Sequence, residues 1–201
     1  MNTRRLPREF YLQPTLDVSK MLLGKFLVHE YRGRKLSGMI VETEAYIGPA
    51  DKASHAYGGK KTDRNQIEYL IGGHIYIYLV YGLYWQFNIT TAYHDQPECV
   101  LIRALEPVEG IDLMKKYRQT TAIENLTSGP GKLCQALKLD RNCYGHDLCA
   151  RGAKVYVEDR GIKIPKKPIC CGPRVGIDYA GPRWSKIPWR FWLADHPHVS
   201  G

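Results

Sequence analysis

Apolar and polar side chains alternate along several stretches of the chain, with the period of two that is typical of β-strands. In residues 39–46, one face of the predicted strand is mostly apolar, and the other holds two carboxylates and an aromatic ring. The first face comprises Met39, Val41, Thr43 and Ala45, and the second comprises Glu42, Glu44 and Tyr46. We expect the first face to pack on the core. The carboxylates then need either basic partners or a chemical role.

The rest of the chain predicts further strands and a few short helices. Strands are expected at 25–31 and 36–46, paired as a hairpin, at 99–105, and on either side of a tight bend at Tyr81-Gly82 within 74–90. Helices are expected at 15–23 and 107–119, and another opens at 128–131. Residues 155–201 alternate short strands with Gly-Pro turns. Residues 1–14 are basic and hold two prolines, so we predict a flexible basic arm there.

Length and composition indicate one domain with many turns. The chain has 201 residues, with 19 glycines and 12 prolines, which favours a strand-containing fold over a helix bundle. The chain has fourteen tyrosines but only four phenylalanines. Tyrosine suits partly solvated surfaces that bind ligands or nucleic acids, because its ring is apolar and its hydroxyl is polar. The net charge of +9 favours a polyanionic partner. Residues 151–201 hold ten basic and four acidic side chains, so we expect phosphate contacts in that quarter, or else a merely soluble basic face.

The six cysteines form no Cys-x-x-Cys pair. The N-terminal segment carries arginines in place of an apolar signal sequence, and no stretch approaches a membrane span. We therefore expect a cytoplasmic protein with free thiols and no membrane contact. The run from Cys143 to Cys149 could supply half a zinc site, but no second ligand pair stands at a recognised spacing.

Two single residues suggest specific contacts. Arg103 lies inside an apolar strand and needs an acceptor, for which Glu42 or Glu44 is the candidate if the strands are neighbours. Tyr81 stands at the tip of a bend, where an aromatic ring either pushes between stacked bases or packs beneath the turn. Basic residues Lys60, Lys61 and Arg64 follow or flank paired glycines and are candidates for DNA-backbone contacts, although no standard phosphate-binding loop is present. His55 by itself is more typical of a structural or surface histidine than of a catalytic one.

Taken together, the polar faces of the predicted strands hold one carboxylate, two rings, one amide and one guanidinium. These are Glu44, Tyr46, Tyr78, Asn88 and Arg103. Two rings can sandwich a planar heterocycle, an amide can read its edge, and a carboxylate can take a proton from water. Such a set suits an enzyme that extrudes a base from duplex DNA and acts on it.

At these residues the sequence resembles the alkyladenine (3-methyladenine) DNA glycosylase family. The resemblance extends over nearly the whole chain, with motifs in matching order and spacing. They are Val41–Pro49, His55, Thr62–Asn65, Tyr76–Gly82, Asn88, Leu101–Pro107, Ser128–Pro130, Leu133–Leu137, Arg174–Gly176 and Arg190-Phe191. The resemblance implies a single mixed α/β domain, spanning 1–201, around a curved antiparallel β-sheet with a protruding hairpin and flanking helices. It also implies a monofunctional enzyme that needs no metal or cofactor.

The resemblance also implies roles for individual residues. Glu44 matches the general base that activates water for attack on the anomeric carbon. Arg103 matches a residue that holds this water and the adjacent phosphate, whereas Glu42 is a structural candidate. The substrate would be duplex DNA containing alkylated adenine or guanine, hypoxanthine or ethenoadenine, bound by a monomer.

The base pocket follows from the same comparison. Its walls correspond to Tyr46, His55 and Tyr78. Tyr81 matches the side chain that enters the duplex in place of the extruded base. Asn88 matches a residue that would clash with the exocyclic amine of guanine, which excludes the normal base.

Two other classes of protein fit part of the pattern. A non-catalytic nucleic-acid binder could use the tyrosine-rich strands as a stacking platform, but it has no need for Glu44. A sugar hydrolase could use Glu42 and Glu44 as its carboxylate pair, two residues apart on one strand face and separated by about 7 Å at the backbone. The basic surface argues against a neutral sugar substrate.

Overall fold

A computed structural model describes residues 4–162 and 169–200, which contain nine β-strands and five α-helices. The strands are β1 (Arg4–Arg5), β2 (Phe26–Tyr31), β3 (Arg34–Ile47), β4 (Ile75–Val80), β5 (Tyr84–Thr90), β6 (Glu98–Glu109), β7 (Val155–Asp159), β8 (Ile169–Gly172) and β9 (Arg190–Leu193). The helices are α1 (Arg8–Tyr11), α2 (Thr15–Met21), α3 (Ile111–Arg118), α4 (Pro130–Leu137) and α5 (Pro182–Lys186). The mixed α/β class is confirmed.

All strands of the described residues join one open antiparallel sheet, in the order β1-β7-β2-β3-β6-β5-β4, with β9 paired to β3 and β8 paired to β9. The 14-residue strand β3 lies at its centre. One edge of β3 pairs along its length with β6. The other edge pairs first with β2 and then, from Glu42 to Glu44, with β9. The acidic segment of β3 is therefore covered by a strand on each side.

Most sequence-predicted elements are present at the expected places. The β2–β3 and β4–β5 hairpins and α2 and α4 agree with the prediction to within a few residues. The helix expected at 107–119 begins later, because β6 continues to Glu109, opposite Ser37 of β3. Gly110 then turns the chain with φ of 78°. A Cβ atom at Gly110 would lie 2.5 Å from Leu36 Cδ2, so the turn requires glycine.

The N-terminal segment is packed onto the domain over its described part, contrary to the predicted flexible arm. Residues 4–5 pair with β7, and Tyr11 is fully buried. Arg8 donates to the carbonyl of Gly72 and to the carboxylate of Asp147, each at 2.6 Å. Local composition suggested an exposed basic segment, but two of its residues have specific long-range partners. Residues 1–3 of the predicted arm lie outside the described residues.

The apolar core lies between one face of the sheet and α2, α3 and α4. Its members include Val18, Leu22, Ile102, Leu133 and Leu137, all fully buried. The β4–β5 hairpin extends beyond this core, and its turn residues Tyr81 and Leu83 are 88% and 71% exposed. Within the described residues, no helix is long and apolar enough to cross a membrane.

Candidate active site

Strand alternation and the neighbouring position of β6 bring two carboxylates and one guanidinium together. Glu42 and Glu44 point to the same face of β3, and Arg103 reaches them from β6. Arg103 Nε donates to Glu42 Oε1 at 3.0 Å, and Arg103 Nη1 lies 3.3 Å from Glu44 Oε1. The side chain of Arg103 is 8% exposed and the two carboxylates are fully buried. The prediction that Arg103 pairs with these glutamates is confirmed.

Glu44 has a further donor on each carboxylate oxygen. The backbone N–H of Val175 donates to Oε1 at 2.8 Å, and the Tyr46 hydroxyl donates to Oε2 at 2.8 Å. Burial raises the pKa of Glu44, whereas Arg103 and these two donors lower it. The sequence predicted Glu44 on a polar strand face that water reaches. In the structure Glu44 is instead fully buried, directly behind side chains that line a pocket.

Glu42 is held by a different set of groups. Its Oε2 accepts from the backbone N–H of Ser200 at 2.7 Å, and its Oε1 accepts from the Ser200 hydroxyl at 2.9 Å. Arg190 Nη1 lies 3.5 Å from Oε1. These contacts join β3, β6, β9 and the C-terminal residues. They agree with the structural role expected for Glu42.

A pocket of about 540 Å³ opens beside this cluster. Its lining includes Tyr46, His55, Arg64, Glu68, Tyr76, Tyr78, Tyr81, Asn88, Cys99, Leu101, Arg103, Val175 and Tyr179. The structure thus brings together, at one pocket, all the predicted base-pocket residues, with Arg103 and Arg64. Its volume is in the range of small-molecule sites, and its wall is rich in aromatic rings.

Three rings form one wall of the pocket. The ring centroids of His55 and Tyr78 are 4.6 Å apart, and those of Tyr76 and Tyr78 are 5.2 Å apart. A hydrogen bond of 2.6 Å joins His55 Nδ1 and the Tyr76 hydroxyl. Burial, and secondarily Arg64, lowers the pKa of His55 to about 4. The imidazole is therefore neutral near pH 7, and its hydrogen bond with Tyr76 fixes the orientation of the ring.

Asn88 is held rigidly at the base of the pocket and is 1% exposed. Its Nδ2 donates to the carbonyl oxygens of Tyr76 and Gln86, at 3.1 and 3.2 Å. With both amide protons engaged by the backbone, the side chain cannot rotate away from a bound ring without losing these bonds. This rigidity is what a residue that excludes a base by steric contact requires.

The β4–β5 turn presents Tyr81 beside the pocket mouth. Tyr81 has φ of 53° and Gly82 has φ of 68°, so a bulky residue occupies the left-handed region that normally favours glycine. Such backbone strain is frequent at functional positions. The ring is 88% exposed, which excludes the alternative that Tyr81 packs beneath the bend.

Sequence reasoning missed the buried ion pair behind the Tyr46 ring. Arg174 Nη1 and Nη2 donate to the two Asp51 oxygens, at 2.5 and 2.9 Å, and both side chains are fully buried. The guanidinium also lies 4.7 Å from the centroid of the Tyr46 ring. This pair places Val175 against Glu44. Asp51 carries no signal in the sequence beyond its place after a Gly-Pro turn.

The basic candidates divide into two groups. Arg64 lines the pocket and lies 4.8 Å from the Tyr78 ring centroid. Lys60 and Lys61 are exposed on the adjoining loop and are not part of the pocket lining. In the last quarter of the chain, Arg160, Arg174 and Arg190 form ion pairs with carboxylates, so part of its positive charge serves the fold.

Comparison with known proteins gives full-length matches. A family model described as methylpurine-DNA glycosylase matches residues 9–197. A protein of Desulfitobacterium hafniense strain Y51 is 47% identical, and one of Alkaliphilus oremlandii is 46% identical, with 98% of each chain covered. A Bacillus cereus strain G9842 protein is 46% identical over 96% of this chain and 98% of its own. All three are named "Putative 3-methyladenine DNA glycosylase".

Proposed function

The chain belongs to the methylpurine-DNA glycosylase family, whose members are DNA-repair hydrolases of N-glycosyl bonds, and we propose that it extrudes damaged purines from duplex DNA and releases them by hydrolysis. The observation that carries this proposal is the aromatic pocket between an exposed tyrosine hairpin and the buried Glu44–Arg103 pair. The substrates would be alkylated adenine and guanine, together with hypoxanthine and ethenoadenine. The product would be an abasic site.

The pocket suggests how a base would be held. The ring of the extruded purine would stack between Tyr46 on one side and the Tyr78 and His55 rings on the other, while Asn88 would contact its edge. Tyr81 would occupy the space that the base leaves in the duplex. Arg64, Lys60 and Lys61 would contact phosphates near the pocket mouth.

In the proposed reaction Glu44 accepts a proton from a water molecule, whose oxygen attacks C1′ of the damaged nucleotide. The N-glycosidic bond breaks, and its electron pair goes to the purine. A cationic alkylated purine then leaves as a neutral base, whereas hypoxanthine must take up a proton. Arg103 balances the charge of Glu44, because it is within 3.3 Å of the carboxylate.

The direct test is base release from duplexes that carry a single 7-methylguanine, 3-methyladenine or hypoxanthine, measured as strand breaks after alkali. We expect release from the damaged duplexes and none from the undamaged one. Binding without release of any lesion would overturn the enzymatic proposal in favour of a nucleic-acid-binding protein. Gel filtration with light scattering would test the proposed monomer.

The pH dependence of release should report the ionisation of Glu44. With 7-methylguanine, a lesion that needs no protonation on leaving, we expect the rate to rise with pH through a midpoint above 4.5, the ordinary value for glutamate. The reason is that burial raises the pKa of Glu44 and only its ionised form accepts a proton. Single-turnover rates measured across the stable pH range, corrected for spontaneous loss, provide the test. A rate that falls as pH rises would contradict this role.

Replacing Tyr81 with alanine should weaken lesion recognition without affecting the fold. Stacking of one base on an aromatic ring contributes about 1–3 kcal/mol, so we expect Kd for a damaged duplex to rise by about 5- to 150-fold. The Tm should be nearly unchanged, since the ring is 88% exposed. Tyr93→Ala is the matched control, because Tyr93 is 59% exposed but lies outside the hairpin. Equal effects of the two substitutions would argue against duplex insertion.

A further inference from the structure

A second carboxyl group lies in the pocket, and the proposed reaction does not use it. Glu68 is on the short 3-10 helix Gln66–Tyr69, is 1% exposed and lines the pocket. Its Oε1 accepts a weak hydrogen bond from Cys99 Sγ at 3.4 Å. Its Oε2 is buried, with no hydrogen-bond partner of normal geometry among the described residues. A buried polar atom without a partner destabilises the protein, which indicates that a ligand supplies the partner.

The two carboxyl groups are associated with different parts of β6. Glu44 contacts Arg103, whereas Glu68 contacts Cys99, four residues earlier on the same face of the strand. Four residues of extended strand span about 13 Å. A purine bound between these positions, with its sugar near Glu44, would direct its opposite edge toward Glu68.

We propose that Glu68 recognises the six-position edge of the extruded purine, and that it favours bases presenting an N–H donor next to an acceptor at that edge. Adenine derivatives present the N6 amino group beside N1, and hypoxanthine presents N1–H beside O6. Ethenoadenine presents neither pair, because its bridge closes over N1 and N6. This inference rests on the proposed function and assigns a specificity-determining residue to the same pocket.

The protonation state of Glu68 suits this pattern. Burial raises the pKa of Glu68 to about 8, and the Cys99 thiol, the Asn65 amide and Arg64 offset only part of that effect. The carboxyl group therefore carries a proton near pH 7, and a neutral carboxyl group offers one O–H donor and one carbonyl acceptor side by side. Oε2 then donates its proton to the acceptor of the base, while Oε1, which already accepts from Cys99, uses its second lone pair to accept from the base N–H group.

Two substitutions separate hydrogen bonding from shape. Glu68→Gln keeps a donor and an acceptor, whereas Glu68→Met retains similar volume but removes both. We expect Glu68→Met to lower single-turnover release of hypoxanthine by about 10- to 100-fold relative to ethenoadenine. A buried polar group discriminates strongly between a base that pairs with it and one that does not. Methionine removes that group, so the preference should be lost. Glu68→Gln should retain the native preference within a few-fold.

Ethenoadenine release by each variant serves as the internal control for damage to the fold. An equal loss for both lesions in Glu68→Met would indicate a structural role and overturn the proposal. An unchanged ratio in Glu68→Met would overturn it as well. A preference lost equally in Glu68→Gln and Glu68→Met would exclude recognition by the neutral donor–acceptor pair.

A binding experiment separates this inference from the proposed function. Dissociation constants for duplexes carrying hypoxanthine or ethenoadenine can be measured with Glu44→Gln protein, with and without Glu68→Met. We expect a preference for hypoxanthine that Glu68→Met removes. If the native protein released no base but this preference held, the glycosylase proposal would fail and recognition by Glu68 would stand. Native release without any effect of Glu68 on binding or rate would give the opposite result.

Discussion

Replacing Glu44 with glutamine is expected to lower the rate of base release by at least about 100-fold, while leaving the protein folded and able to bind damaged DNA. Glutamine keeps the size of the side chain and an acceptor for the Val175 N–H group at 2.8 Å, but it cannot take a proton from water. Loss of a general base costs about 10²- to 10⁴-fold in rate. Because burial already raises the pKa of Glu44, a neutral group at this position should cost little stability.

The measurement is single-turnover release from a lesion-containing duplex, with Kd for the same duplex determined in parallel. Glu42→Gln is the matched control: it removes the neighbouring carboxylate on the same strand face, which also contacts Arg103. We expect Glu42→Gln to lower Tm, because Glu42 joins Ser200 and Arg190 to the sheet, and to retain measurable release. If Glu44→Gln kept native activity, another group would have to be the base.

The second large effect is expected on stability. Arg103→Met should destabilise the protein by about 3–5 kcal/mol, the usual cost of removing one partner from a buried ion pair. Methionine fills similar space, yet it leaves two buried carboxylates next to each other, since Arg103 contacts both Glu42 and Glu44. Urea unfolding monitored by tryptophan fluorescence would give the difference in free energy of unfolding.

An exposed ion pair provides the comparison for this stability prediction. Arg34 and Asp112 approach to 3.2 Å, with side chains 58% and 67% exposed, so Arg34→Met should cost less than about 1 kcal/mol. In the Arg103→Met background, Glu42→Gln should recover part of the lost stability, because it removes one of the unpaired charges. A small, equal cost for both arginine substitutions would mean that the buried cluster does not contribute to stability as its burial implies.

The two rival classes of function meet these predictions differently. A non-catalytic binder would use Tyr78 and Tyr81, but loss of Glu44 would then leave its only activity, binding, intact. A sugar hydrolase would need Glu42 and Glu44 as a carboxylate pair at one pocket. Besides the shared Arg103, Glu42 is held by Ser200 and lies near Arg190, and neither residue lines the pocket. The other partners of Glu44 are Tyr46 and Val175, and both line the pocket. The geometry therefore favours one functional carboxylate in this pair over two.

Local patterns in the sequence were sufficient for most strands and for the bend at Tyr81-Gly82, but they left the exposure of Tyr81 open. Side chains two residues apart share a strand face whatever the rest of the fold, so the common face of Glu42 and Glu44 and the need of Arg103 for an acceptor followed from periodicity. Tyr81-Gly82 between two alternating runs predicted a hairpin for a similar reason. Motif order and spacing indicated the family that the comparisons identify.

Tertiary structure alone decided how these residues are held. Three hydrogen bonds at the site join residues that are far apart along the chain. The sequence separations are 131 residues for Val175 and Glu44, 123 for Arg174 and Asp51, and 158 for Ser200 and Glu42. Burial of Glu68 and packing of residues 4–14 depend likewise on contacts with remote elements. Periodicity reports only which face a side chain occupies, whereas burial, ion pairing and pKa depend on what packs against that face. For this reason the sequence indicated several of the residues that meet at the pocket, whereas the fold determined their burial, their ion pairs and their hydrogen-bond partners.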